Sequence, residues 1–201
     1  LGIRARVLDE IAARYIEKHP GCTVLHLGCG LDSRCQRLSG YGRWFDIDFP
    51  EVIALRRRFY EETECCRMLG FDVSDPAWLP LVPDGGDALI IAEGLSMFLT
   101  ADENLRIFTD ARQKFRYTEY AFDAYTDRIV LYSHDSAPAE RGKTVVWGLE
   151  NPRLIEQLDG VKYIRAYQFS SSRYVRGYPL PTQLLYRLLY GRSPSNRFYR
   201  I

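Results

Sequence analysis

Five residues in the first half of the chain are of types and at spacings that suit a charged nucleoside ligand: Gly28, Gly30, Asp48, Asp72 and Glu93. A glycine lets a ligand approach the backbone closely and lets a turn adopt φ > 0. Asp48 follows Gly28 by about twenty residues, the separation at which a carboxylate accepts from ribose hydroxyls. Asp72 can accept from an exocyclic amine, and the Val73 backbone N–H can donate to the same ring. Glu93 matches an ammonium or a sulfonium in charge. A carboxylate on the ligand would need a cation, and Arg4 or Arg6 offers a two-pronged guanidinium.

These residues share a place in the expected architecture. Apolar runs alternate with amphipathic ones, which points to an α/β Rossmann-like fold, a mostly parallel sheet with helices on both faces. A helix is expected over residues 6–18, followed by strands at 23–27, 43–47, 65–71, 87–92 and 117–124. Helices are expected over 33–38 and 50–62. Another, over 101–114, opens on a capping box formed by Thr100 and Glu103. Beyond residue 124 the expectations are a helix with a loop to 142, a short helix from Asn151-Pro152, a strand over 161–169 and a closing strand over 196–201. Gly28, Asp48, Asp72 and Glu93 each fall at the C-terminal end of a strand, the rim where open parallel sheets bind ligands.

Acids at consecutive strand ends separate two cofactors. NAD would use Asp48 but has no need of both Asp72 and Glu93, and Ser33 stands where the dinucleotide fingerprint has its third glycine. S-adenosyl-L-methionine has an adenine, a ribose, an ammonium and a sulfonium, and so uses all three acids. The competing structural roles are a strand-to-helix turn for the glycines and a helix cap or solvated rim for Asp72.

The strings Leu27-Gly28-Cys29-Gly30-Leu31-Asp32-Ser33-Arg34, Asp46-Ile47-Asp48-Phe49-Pro50-Glu51-Val52, Phe71-Asp72-Val73-Ser74-Asp75 and Ala92-Glu93-Gly94-Leu95-Ser96-Met97-Phe98 resemble the leucine carboxyl methyltransferase family. The resemblance runs from about Arg4 to Phe122. It implies a class I methyltransferase fold and S-adenosyl-L-methionine as donor, with a carboxylate of a small molecule, such as a polyketide, as acceptor. It also implies roles: the Gly28 loop along the methionine part, Asp48 on the ribose, Asp72 and Val73 on the adenine, Glu93 near the sulfur and Arg4 on the donor carboxylate. The family's N-terminal helical extension is expected to be missing, because the sequence opens almost at Arg4.

A carboxylate acceptor is already ionised at neutral pH, so the reaction needs alignment more than a base. Phe98 is expected beside the acceptor, with Tyr125 and Trp147 as further lining and residues 125–150 as a substrate-covering insertion in a single domain of residues 1–201. Among the other polar residues, His26 reads as a satisfied core histidine and His134 as a candidate base. Asp32 and Arg34 read as a local ion pair, and Arg56-Arg57-Arg58 as a solvated helix face. The tyrosines between Tyr163 and Tyr199 read as a substrate wall or as sheet packing.

Composition agrees with a soluble globular protein. The 201 residues are 46% hydrophobic and 26% charged, with a net charge of +1, which argues against a nucleic-acid partner. No apolar run has the length of a membrane span. The five cysteines show no C-x-x-C spacing, so no metal is expected, and reduced thiols in a cytoplasmic protein are. Two rival functions share the fold: a methyltransferase-like scaffold without catalysis, and an NAD-dependent oxidoreductase.

Overall fold

A computed structural model of the chain describes residues 2–127, 130–131, 145–168, 172–190 and 196–201. Its centre is a seven-stranded sheet in the order β3-β2-β1-β4-β5-β7-β6. The strands are β1 (Thr23–Leu27), β2 (Arg43–Asp48), β3 (Cys66–Gly70), β4 (Asp87–Ala92), β5 (Tyr117–Tyr125), β6 (Arg165–Gln168) and β7 (Asn196–Arg200). The first five run parallel, as the alternating pattern predicts. The sheet is Rossmann-like, and its order reverses between β1 and β4, so the crevice for a ligand falls there.

Strand β1 is buried at all five positions, as a central strand covered on both faces must be. Leu25 and Leu27 face one hydrophobic cluster, with Ile47, Ile90, Phe108 and Phe122; Val24 faces the other, with Trp44, Leu89 and Ile91. Helix α1 (Gly2–Lys18) closes the second face with Ile3, Val7, Leu8, Ile11, Tyr15 and Ile16, a stripe at helical spacing. It starts earlier than the pattern suggests, which puts Arg4 on its first turn.

The remaining early helices are α2 (Arg34–Arg37), α3 (Pro50–Arg56) and α4 (Ala101–Lys114). Pro50 opens α3 as expected, but the helix stops at Arg56, short of the anticipated residue 62. A Cβ at Gly70 would stand 3.1 Å from Pro50 Cα, so α3 and β3 pack closely only because that residue is glycine. In α4 both halves of the capping box form: Glu103 N donates to Thr100 Oγ1 at 3.2 Å and Thr100 N to Glu103 Oε2 at 2.7 Å.

The C-terminal part departs most from expectation. The expected closing strand, β7, is inserted between β5 and β6 and runs antiparallel to both. The strand foreseen over 161–169 shortens to β6. Two helices were not foreseen, α5 (Ser172–Val175) and α6 (Leu180–Tyr190). Residues 132–144, including His134, lie outside the described residues.

Candidate active site

The glycine loop leaves β1 by a turn that only glycine adopts easily. Gly28 has φ +62° and Gly30 has φ +51°. A Cβ on Gly28 would press on Leu95 at 3.3 Å, whereas one on Gly30 would project into open space. Asp48, at the end of β2, fixes this loop: its Oδ2 accepts from Gly30 N and its Oδ1 from Phe49 N, both at 2.8 Å. Gly28 N donates to Ile47 O at 2.8 Å, which binds the loop to β2 from the other side. A carboxylate oxygen has a second lone pair, so Asp48 retains acceptor capacity.

Across the crevice, Glu93 follows β4 and is held between two arginines. Arg4 Nε donates to its Oε1 and Arg34 Nη2 to its Oε2, each at 2.8 Å. The partner that a half-buried acid demands is thus a pair of guanidinium groups. Arg4 Nη1 also lies 3.5 Å from Asp123 Oδ2, near the end of β5. Gly94, at φ +67°, donates its N–H to Asp123 Oδ1 at 2.6 Å, and Ser96 Oγ donates to the Asp123 carbonyl.

One expectation for a basic residue is extended here and another is corrected. Arg34 is wholly buried and does more than pair locally with Asp32. Its Nε donates to Asp9 at 2.6 Å, Nη2 serves Asp32 and Glu93, and Nη1 reaches His26 Nε2 at 3.2 Å. Arg56 is likewise wholly buried and not on a solvated helix face: Nη2 donates to Asp46 Oδ2 at 2.6 Å and Nη1 to Gly30 O at 3.0 Å. His26 is the satisfied core histidine expected. Because Arg34 can only donate to Nε2, Nδ1 carries the proton and donates to Asp46 Oδ1 at 3.1 Å. A continuous polar chain therefore runs under the loop, from Glu93 through Arg34, His26, Asp46 and Arg56 to the Gly30 carbonyl.

Cys35, Asp46 and Cys66 bring potential ligand atoms within 4.8 Å of one another. The Arg56 guanidinium already supplies the positive charge at that point, 2.6 Å from Asp46. All five cysteines are free thiols.

Asp72 lies after β3 on the same rim. Its Oδ1 accepts from Ser74 N at 3.0 Å and Ser74 Oγ at 2.8 Å, a local turn role in place of the helix cap or solvated rim named as its alternative. Val73 packs into the core, and its carbonyl accepts from Trp78 Nε1 at 3.2 Å. Phe98 ends the short 3-10 turn Ser96–Phe98, half-buried. The strand-end segment 145–149 crosses beside it: Val146 N donates to Met97 O at 2.9 Å and Leu149 N to Tyr125 O at 2.7 Å. Trp147 packs on Phe122 with ring centres 6.1 Å apart, the core-packing role weighed for it. Of the site residues expected from the sequence, the contacts join Arg4 to Glu93 and Asp48 to Gly30, while Asp72 bonds to Ser74 and Val73 and Trp147 pack on the core.

Sequence reasoning missed Asp123, although the rule that singled out the other strand-end acids applied to β5 as well. It also missed Asp46, which alternates inward from a strand and carries no local sign of its partner.

Residues 1–111 match the family model of leucine carboxyl methyltransferase. The tetracenomycin polyketide synthesis O-methyltransferase TcmP of Streptomyces glaucescens is 36% identical over 178 residues, covering 86% of this chain and 65% of that protein. The S-adenosyl-L-methionine-dependent methyltransferase dpfgK of Gibberella zeae is 35% identical over 178 residues, covering 80% of this chain and 60% of that protein. The chain therefore spans less than two thirds of the length of both relatives. Among solved structures, the plantazolicin methyltransferase BamL, in complex with a triazolic desmethylPZN analog and SAH, superposes with a TM-score of 0.61 over 98% of this chain and 84% of that one. At 12% identity this likeness speaks for the fold, that of a class I methyltransferase.

Proposed function

The chain belongs to the leucine carboxyl methyltransferase family, and on that premise we propose that it transfers a methyl group from S-adenosyl-L-methionine to a carboxylate oxygen of a small molecule. The observation that carries this reading is the crevice between β1 and β4. There Gly30 has open space where a Cβ would stand and is bonded to Asp48, and the Arg4–Glu93 pair stands at the end of β4. The cradle fits a ligand that approaches the backbone, because a Cβ at Gly30 would occupy only empty space.

When bound, S-adenosyl-L-methionine supplies a methyl group activated on a sulfonium. The chain's own residues bind and orient. Gly28 and Gly30 lie along the methionine part. Asp48 accepts from ribose hydroxyls with the lone pairs left over from Gly30 and Phe49. Asp72 and the Val73 backbone hold the adenine edge. Arg4 offers its Nη groups to the donor carboxylate, and Glu93, pinned by Arg4 and Arg34, offers charge to the ammonium. Phe98, Tyr125 and Trp147 line the acceptor side; much of the covering insertion expected over residues 125–150 lies outside the described residues. An ionised carboxylate needs no base, so alignment supplies the rate.

TcmP, by its name, is an O-methyltransferase of polyketide synthesis, which supports a small-molecule acceptor. Among the described residues no helix is long and apolar enough to cross a membrane. Calorimetric titration with S-adenosylhomocysteine and, separately, NADH tests the donor. Binding of the first alone is expected, and binding of NADH alone would overturn the reading. A carboxylate panel with radiolabelled donor tests transfer; donor binding without any transfer would favour a scaffold.

A further inference from the structure

Asp123 is the one acid of the rim that is wholly out of solvent. Its Oδ1 accepts from Gly94 N at 2.6 Å, but its buried Oδ2 has no hydrogen-bond donor. The nearest cation, Arg4 Nη1, is 3.5 Å from Oδ2, because the same guanidinium is drawn by Nε to Glu93 at 2.8 Å. One arginine thus serves two carboxyl groups, and one buried oxygen remains unsatisfied. A buried oxygen in that state is costly when charged and much less so when protonated.

We propose that Asp123 is a positioning residue that governs the Arg4 fork: ionised, it competes for the Nη edge of Arg4; protonated, it yields that edge to a ligand carboxylate. The inference rests on the donor-site reading above. It adds that donor binding takes up a proton at Asp123. Among the described residues, the charged groups facing Asp123 are Arg4 from α1 and Glu93 from the end of β4, with Arg34 one step behind Glu93. On its own strand Tyr120 has a phenol without a partner, held protonated by burial. The residue opposite on β7 is Phe198, which carries no charge. Burial pushes the Asp123 carboxyl up to about 6, with Gly94 N–H and Arg4 pulling against the rise and Glu93 adding to it. A second anion at Arg4 would push it further, so proton uptake falls in an accessible pH range.

The test is titration of the full chain with S-adenosylhomocysteine between pH 5 and 8, in buffers of different ionisation enthalpy. Affinity is expected to weaken about tenfold across that range, the change that one pKa unit of coupling gives. Net proton uptake should accompany binding near pH 6.5. Asp123→Asn keeps an acceptor for Gly94 N and should bind with neither pH dependence nor uptake. Methylthioadenosine, which lacks the amino-acid carboxylate, should bind the unsubstituted chain without uptake. Uptake that persists in D123N, or that occurs equally with both ligands, or that is absent with S-adenosylhomocysteine, overturns the inference while leaving the donor site standing. Failure of S-adenosylhomocysteine to bind at any pH overturns both. Should D123N not fold, the two ligands on the unsubstituted chain still decide.

Discussion

Arg34 Nη2 stands 2.8 Å from Glu93 Oε2, with the arginine side chain wholly removed from solvent. That contact ties the helix after the glycine loop to the end of β4, across the crevice where the sheet order reverses. Both strand ends are thereby held at one separation, and Glu93 is oriented before any ligand arrives.

Replacing Arg34 should therefore cost stability and binding together. Arg34→Met removes the cation that Asp9 and Glu93 share, while Arg37 and Arg4 stay on them, and is expected to destabilise by about 1.5–3 kcal/mol, the range for hydrogen bonds to charged groups. Arg34→Lys keeps the charge but cannot serve Asp9, Glu93 and His26 at once, so it should recover only part of the loss. Urea unfolding measures both; an Arg34→Met protein as stable as the parent would refute the role.

The loop offers a cleaner separation of binding from folding. Gly30→Ala introduces strain at φ +51° of about 1 kcal/mol and places a methyl in the open cradle. Unfolding should shift modestly while S-adenosylhomocysteine affinity falls at least about tenfold. Asp48→Ala removes acceptors for Gly30 N and Phe49 N and should weaken binding by about 2–3 kcal/mol, the scale of charge-assisted hydrogen bonds. Unaltered calorimetric affinity in either variant would place the nucleoside elsewhere.

Phe98 and Trp147 should behave differently, although they lie near one another. Phe98→Ala is expected to change turnover or acceptor range in steady-state assays and leave donor affinity as it was. Trp147→Ala strips packing from Phe122 and should lower stability by about 2 kcal/mol as well. Turnover and acceptor range unchanged in Phe98→Ala would remove it from the acceptor wall.

Two buried acids give the chain opposite responses to pH. Burial alone would raise the Asp46 carboxyl, but the hydrogen bond from His26, then the Arg56 guanidinium and the Trp44 indole, hold it below the usual carboxylate range. Its stabilising effect is present above the ordinary carboxylate pKa of about 4 and is lost as pH falls through the lower folded value. Asp123, raised to about 6, works the other way: its contribution is present in acid and lost as pH rises through 6. In urea unfolding, Asp46→Asn should be weaker than the parent at pH 7 and converge on it toward pH 3. Asp123→Asn should gain on the parent between about pH 4 and 6. Parallel curves in either comparison would contradict the assignment.

The sequence by itself determined the rim. Strand periodicity put Gly28, Asp48, Asp72 and Glu93 at successive strand ends, and in a parallel sheet those ends share one side. Such signals are local: alternation, glycine turns and the Thr100–Glu103 cap act over a few residues. Only the tertiary structure decided which charges neutralise which. Arg4 and Glu93 are 89 residues apart, and Arg34 and Glu93 are 59, so their pairing depends on β4 lying beside β1. The same holds for Arg56, which looks like one of three solvated arginines until the sheet sets Asp46 beside it. Strand β7 found its place between β5 and β6 for the same reason: pairing partners are chosen by the assembled sheet, and periodicity along one segment carries no record of its neighbours.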